Sequence, residues 1–213
     1  MAVVAQYEGT RIVAFQKCGH ASLINTFLTP AGEVAKLRRG AMLSGALKGT
    51  TTEARDWPDP DLTIAFFRHP LERAISAYEN FFVRTWRTEF EALGFTPDMS
   101  FVQFLSHLTT IDLSVDAHLK PQAISYFEGY LHSAEVYAGR LEQVGITWPL
   151  VVEQYNLHCT KNVAHFNTAF YAYDQYILPQ IHIAPFRALY ADDYALWEAA
   201  NFEARTPISS ECH

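Results

Sequence analysis

The chain has 213 residues, of which 49% are apolar, with 15 Phe, 11 Tyr and 4 Trp. That composition is enough for one sizeable core and excludes intrinsic disorder. A formal net charge of −7 excludes a general nucleic-acid binder, whose phosphate contacts need a basic face, so any anion site must be local.

Cys18, Cys159 and Cys212 show no C-x-x-C spacing and leave an odd number. No disulfide framework or zinc knuckle follows. There is no apolar run of about 18 residues. Nor does the chain start with a charged and then apolar signal segment. The expectation is a soluble, cytoplasmic protein with no integral membrane segment. No internal repeat or linker divides the sequence, so residues 1–213 read as a single domain.

In chain order, residues 1–10 are a weak lead-in. Residues 11–16 (R-I-V-A-F-Q) read as a first buried strand and residues 17–22 (K-C-G-H-A-S) as a tight turn. A helix begins over 23–28, with Pro30 and Gly32 ending it. A strand–loop–helix unit suits a phosphate, because amides at the helix start and the helix dipole both point at the anion. Residues 34–39 have helical character. Gly40, Gly45, Gly49 and the three threonines 50–52 suggest loops. Trp57-Pro58-Asp59-Pro60 is a turn that delivers the chain into an apolar strand over 62–67.

The next stretch, R-H-P-L-E-R-A-I-S-A-Y, spans 68–78. Pro70 sits where the first helical turn needs no backbone donor. Ala74, Ile75, Ala77 and Tyr78 recur at helical spacing, and the helix is expected to reach about residue 87. Arg68 therefore stands at the carboxyl end of a strand, where α/β sheets gather ligands. A guanidinium there suits a phosphate, with the Ser76 hydroxyl about two turns further on. In the plainer reading, Arg68 caps the sheet through a salt bridge and Ser76 packs.

Ser100 is a helix cap for 101–108. Residues 111–122 are loop-like and contain D-A-H-L-K-P-Q. A short strand is expected over 134–138 and a helix over 148–157. Residues 165–168 are a polar loop. Residues 169–186 are aromatic-rich and punctuated by Pro179 and Pro185, and 188–202 form a last amphipathic helix. The pattern predicts a three-layer α/β fold, with a central parallel sheet flanked by helices.

Four of these stretches carry a resemblance. K-C-G-H-A-S-L after the first strand resembles the 5′-phosphosulfate loop of sulfotransferases that use 3′-phosphoadenylyl sulfate (PAPS). R-H-P-L-E-R-A-I-S-A-Y resembles their 3′-phosphate motif, R-D-P-x-x-R-x-x-S-x-Y. D-A-H-L-K-P-Q is similar to the D-x-H-W-x-P-Q stretch of the Golgi-type carbohydrate sulfotransferases. Y-A-D-D-Y-A-L-W is similar to their C-terminal Y-x-x-D-Y-x-L-F. The four lie in the family's order and cover roughly residues 11–200. There are departures: Gln16 replaces the usual proline, His20 and Ala21 replace loop hydroxyl residues, His69 replaces the aspartate of R-D-P, and Leu119 replaces tryptophan. The Golgi enzymes have a membrane anchor, so the expectation here is a bacterial or viral relative, or a shortened form of an anchored enzyme.

The resemblance implies a P-loop-like sulfotransferase fold and transfer of a sulfuryl group from PAPS to an acceptor hydroxyl, leaving 3′,5′-ADP. The acceptor would be a small molecule or a glycan. Lys17 would neutralise charge on the leaving phosphate. The loop residues Cys18, Gly19, His20, Ala21 and Ser22 would hold the 5′-phosphate, and Arg68 and Ser76 the 3′-phosphate. In-line transfer of this kind relies on positioning and charge stabilisation. The general base is a Glu or His in the family. His118 is the first candidate, because Asp116 can orient its ring. Glu53 and Asp56 lie between the two cofactor motifs, and His20 is a further candidate.

Other features have plainer readings. His158-Cys159 and Cys212-His213 do not give four metal ligands at sensible spacing, so no metal is expected. Cys18 lies in the anion loop, where a lowered pKa is conceivable and packing is the simpler role. Lys36, Arg38 and Arg39 read as a solvated helix face. Two other functions compete. One is a non-catalytic nucleotide-binding protein on a degenerate sulfotransferase fold, which the substitutions at 20, 21 and 69 keep open. The other is a P-loop kinase, which the missing G-x-x-x-x-G-K-S/T disfavours.

Overall fold

The computed structural model describes residues 3–7, 9–15, 17–32, 50–51, 60–84, 86, 88–127, 135–163 and 178–200. Its regular elements in chain order are β1 (Val3–Tyr7), β2 (Thr10–Ala14), α1 (His20–Phe27), β3 (Thr50–Thr51), β4 (Leu62–Phe67), α2 (Pro70–Tyr78), α3 (Phe101–Leu108), α4 (Gln122–Phe127), β5 (Glu135–Arg140), α5 (Val144–Gln154), α6 (Gln180–Leu189) and α7 (Ala191–Ala199).

The sheet order is β3-β1-β2-β4-β5. Strands β2, β4 and β5 run parallel. Strand β1 pairs antiparallel with both β2 and β3. The sheet is therefore mixed: three parallel strands carry an antiparallel extension, made of β1, where the sequence suggested only a lead-in, and β3, where it suggested a loop. Gly9 makes this possible with a φ of 76°, a conformation that glycine adopts without steric cost. A Cβ there would lie 2.6 Å from Asp61 Oδ2. The Gly9 carbonyl also accepts from the amides of Asp61 and Leu62, where β4 enters.

Every residue of β2 and β4 is buried. Side chains alternate between the two faces, as a strand covered on both sides requires. Ile12, Ile64, Phe66 and Tyr137 pack with Leu23 and Ile24 of α1 and with Trp148 and Val151 of α5. Val13, Phe15, Phe67 and Ala138 face the other way, onto Ala123 of α4 and Leu196 of α7. Helices thus cover both faces of the sheet, as expected.

Several element bounds differ from the sequence reading. α1 starts at His20, so residues 20–22 are its first turn and not a loop. α5 starts at Val144 and carries Pro149 in its interior. Pro149 after Trp148 imitates a helix start, and burial of Trp148 and Val151 offsets the lost backbone bond. The helix after β4 ends at Tyr78 and continues as a π-helical turn, Glu79–Arg84. Phe81 and Phe82 from that turn join Phe90, Phe95 and Phe104 in an aromatic cluster. Ser100 caps α3 through a reciprocal capping box with Gln103, as its position predicts. The single helix expected near the C-terminus is two. α6 and α7 break at Tyr190, whose buried hydroxyl donates to Leu119 O at 2.7 Å. Residues 34–39 and 165–168 lie outside the described residues. Among the described residues, no helix is long and apolar enough to cross a membrane.

Candidate anion site at the strand ends

The chain leaves β2 and turns sharply. Lys17 takes a φ of 64° and Gly19 a φ of 63°. The Cys18 amide closes the turn on Phe15 O at 3.1 Å. Gly19 is the N-cap of α1, with no side-chain cap bond and no acidic residue in the first turn. First-turn amides in that state suit an anion. A Cβ on Gly19 would fall 3.2 Å from Leu141 Cδ1, so the loop passes close to the end of β5. Ala21 and Ser22 are buried in the first turn, and His20 is its first residue.

Arg68 follows the last residue of β4. Its Nη1 donates to Lys17 O at 2.8 Å, and its Nε lies 3.8 Å from Glu72 Oε2. The guanidinium thus reaches the loop across the gap between two parallel strands. Ser76 lies two turns on in α2 and is buried.

Gln122, the last residue of D-A-H-L-K-P-Q, is fully buried. Its Oε1 accepts from the Arg68 amide at 3.0 Å and from the Cys18 thiol at 2.8 Å. Its Nε2 donates to Arg68 O at 3.0 Å. Asp193, in Y-A-D-D-Y-A-L-W, is also fully buried. Its carboxylate accepts from the Gln122 amide at 2.9 Å and the Ala123 amide at 2.8 Å, capping α4. Arg73 is buried and donates to Lys120 O at 2.8 Å. The four stretches that carried the resemblance, far apart in sequence, therefore meet around one glutamine. Gln122, Arg73 and Asp193 were not singled out as site residues from sequence. The signal was their place inside the motif strings.

Burial pushes the Cys18 thiol up to about 11, against the pull of Arg73 and Arg68. Cys18 is therefore a neutral donor to Gln122 and not an activated thiolate. His69 donates its amide to Glu142 Oε1 at 2.8 Å. Its ring stands edge-on to Tyr194 and Trp197. Burial lowers the His69 pKa, so the ring favours its neutral form. Burial and the neighbouring Glu142 raise the pKa of Glu72. Arg140 stacks 4.3 Å over Trp197 and donates to the α7 carbonyls of Trp197 and Glu198.

His118 bonds through Nδ1 to Asp116 Oδ1 at 2.9 Å, and Phe81 meets its ring edge-on. Burial acts to raise the Asp116 carboxyl. The bonds from the His118 ring and amide outweigh it and hold Asp116 below the usual range. The same loop therefore supplies both His118 and Gln122. Glu53 and Asp56 lie outside the described residues. Among the described residues, no group of His, Cys, Asp and Glu could hold a metal ion. A cavity of about 450 Å³ lies at the opposite end of β2, lined by Thr10, Phe27, Tyr155 and Cys159 among others, and by none of the four stretches.

Comparison with protein-family models, with curated proteins and with solved structures found no match.

Proposed function

We propose that this chain is a PAPS-dependent sulfotransferase that acts on a hydroxyl of an acceptor, with carbohydrates the class the resemblance favours. One observation carries the reading. The Lys17 loop, Arg68 and the end of D-A-H-L-K-P-Q converge at the carboxyl ends of β2 and β4, through the Arg68–Lys17 and Gln122–Arg68 contacts. A loop that opens a helix after a strand, with a guanidinium beside it, fits a nucleotide with a 5′- and a 3′-phosphate. ATP has no 3′-phosphate, so a charged site left unpaired would discriminate against it.

In the proposed reaction the acceptor oxygen forms a bond to sulfur while the bond from sulfur to the bridging oxygen breaks. 3′,5′-ADP leaves with that electron pair, and the acceptor proton passes to a base. Lys17 would offset the charge that grows on the leaving phosphate. His118, oriented by Asp116, is the first candidate for the base.

A second reading is a nucleotide-binding protein without transfer activity. The Arg68 guanidinium already donates to Lys17 O and lies near Glu72, which favours a structural use of that residue.

The test is calorimetric titration with 3′,5′-ADP and with ATP, on the wild type and on Arg68→Ala. Binding of 3′,5′-ADP alone, lost in the variant, is expected. No binding of either nucleotide would sink the reading. Turnover of labelled PAPS against a panel of hydroxyl acceptors then separates enzyme from binder.

A further inference from the structure

We infer that Gln122 is a positioning residue that couples the two phosphate-binding halves of the site, with the Cys18 thiol as its contact on the loop side. The inference rests on the nucleotide reading above. Gln122 makes both side-chain bonds that a backbone-like partner would make to Arg68, one to its amide and one from its side-chain amide to the Arg68 carbonyl. The same oxygen takes the Cys18 thiol. One planar group thus fixes where β4 ends and where the loop after β2 begins to turn.

Its own backbone is fixed in turn. Asp193 holds the Gln122 amide, and Arg73 and Tyr190 hold the carbonyls of Lys120 and Leu119 just before it. Fully buried polar groups of this kind persist only when matched, so the amide has one arrangement and not several. A nucleotide with two phosphates gains from binding both only when the two half-sites stand at the right separation. Gln122 sets that separation. It needs no contact with the nucleotide to do so.

The experiment compares ligands with one and two phosphates. Calorimetry with 3′,5′-ADP and with 5′-AMP is run on the wild type, Gln122→Met, Cys18→Ala and Cys18→Ser. Gln122→Met is expected to weaken 3′,5′-ADP by about tenfold or more while 5′-AMP changes by less than about threefold. Cys18→Ala shifts the ratio in the same direction, and Cys18→Ser, which restores a donor, returns it. Parallel losses for both ligands, or no loss for either, overturn the inference. Amide hydrogen exchange on the ligand-free proteins gives a second readout. Residues 17–22 and 68–69 should lose protection together in Gln122→Met while the remaining amides of β2 and β4 keep theirs. A change confined to one of the two segments overturns the coupling. A wild type that binds no 3′,5′-ADP defeats the nucleotide reading, and the exchange result alone then decides whether Gln122 couples the segments.

Discussion

Arg68 donates from Nη1 to the carbonyl oxygen of Lys17 at 2.8 Å, and Lys17 holds a φ of 64°. A left-handed conformation costs a residue with a Cβ roughly 1–2 kcal/mol, so this bond braces a turn that would otherwise relax. Arg68 is therefore both a charge at the strand end and a support for the loop.

Removing it should act on both. Arg68→Ala is expected to lower stability by about 1–2 kcal/mol and, under the proposed function, to weaken 3′,5′-ADP. Urea unfolding beside calorimetry reads the two effects. A variant that loses the ligand at full stability would show that the bond to Lys17 braces nothing.

Cys18 gives a pH test. An unfolded cysteine ionises near 9.0, and the folded thiol is pushed up to about 11 by burial. Across that window the folded chain keeps a proton that the unfolded chain has released. The Cys18 contribution to stability is full below the lower value and is lost as pH rises toward the upper one, by at most about 1.4 kcal/mol per pH unit. Alkylation at pH 8, mapped by mass spectrometry, should leave Cys18 unmodified in native protein and modify it after unfolding. Rapid native labelling would contradict the buried, hydrogen-bonded thiol.

Asp193 links the C-terminal helices to the site. It caps α4 with both carboxylate oxygens from a fully buried position, and Arg73 supplies the opposing positive charge nearby. Asp193→Ala should cost about 3 kcal/mol or more, because it strips two buried amides of their acceptor and removes a negative charge near Arg73. Asp193→Asn keeps one acceptor and should cost less. Equal midpoints of urea unfolding for wild type and Asp193→Ala would rule this out.

His118 separates binding from transfer under the proposed function. Its ring is oriented by Asp116 and braced by Phe81, apart from the Arg68–Gln122 contacts. His118→Ala should reduce PAPS turnover by about a hundredfold to ten-thousandfold. Its affinity for 3′,5′-ADP should stay within about twofold of wild type, since the ring is assigned to the proton and not to the nucleotide. Turnover at the wild-type rate would remove His118 as the base and turn attention to Glu53, Asp56 and His20.

Much of the fold was legible along the chain. The apolar runs at 11–16 and 62–67 marked the buried strands β2 and β4, Ser100 marked a helix start, and Pro70 marked the helix after Arg68. These signals are local: alternation, caps and proline geometry act within a few residues and need no partner. The first strand was missed because its pairing depends on Gly9 and on the edges of β2 and β3, which only the sheet supplies. The π-helical turn after Tyr78 was missed because its packing partners, Phe90, Phe95 and Phe104, arrive later in the chain.

The candidate site divides the same way. Lys17, Gly19 and Arg68 were readable, since a loop after a strand and an arginine at a strand end announce themselves by position. The roles of Gln122, Asp193 and Arg73 were not. Each is buried and acts on backbone groups tens of residues away, and nothing in a neighbouring residue encodes such a bond. The sequence by itself determined the residue types and the strand–loop–helix units that carry them. Tertiary structure alone decided that Cys18 faces Gln122 and that Arg68 faces Lys17. Contacts between distant segments are set by how the sheet and its helices pack, and a buried polar group takes the partner that packing brings within reach.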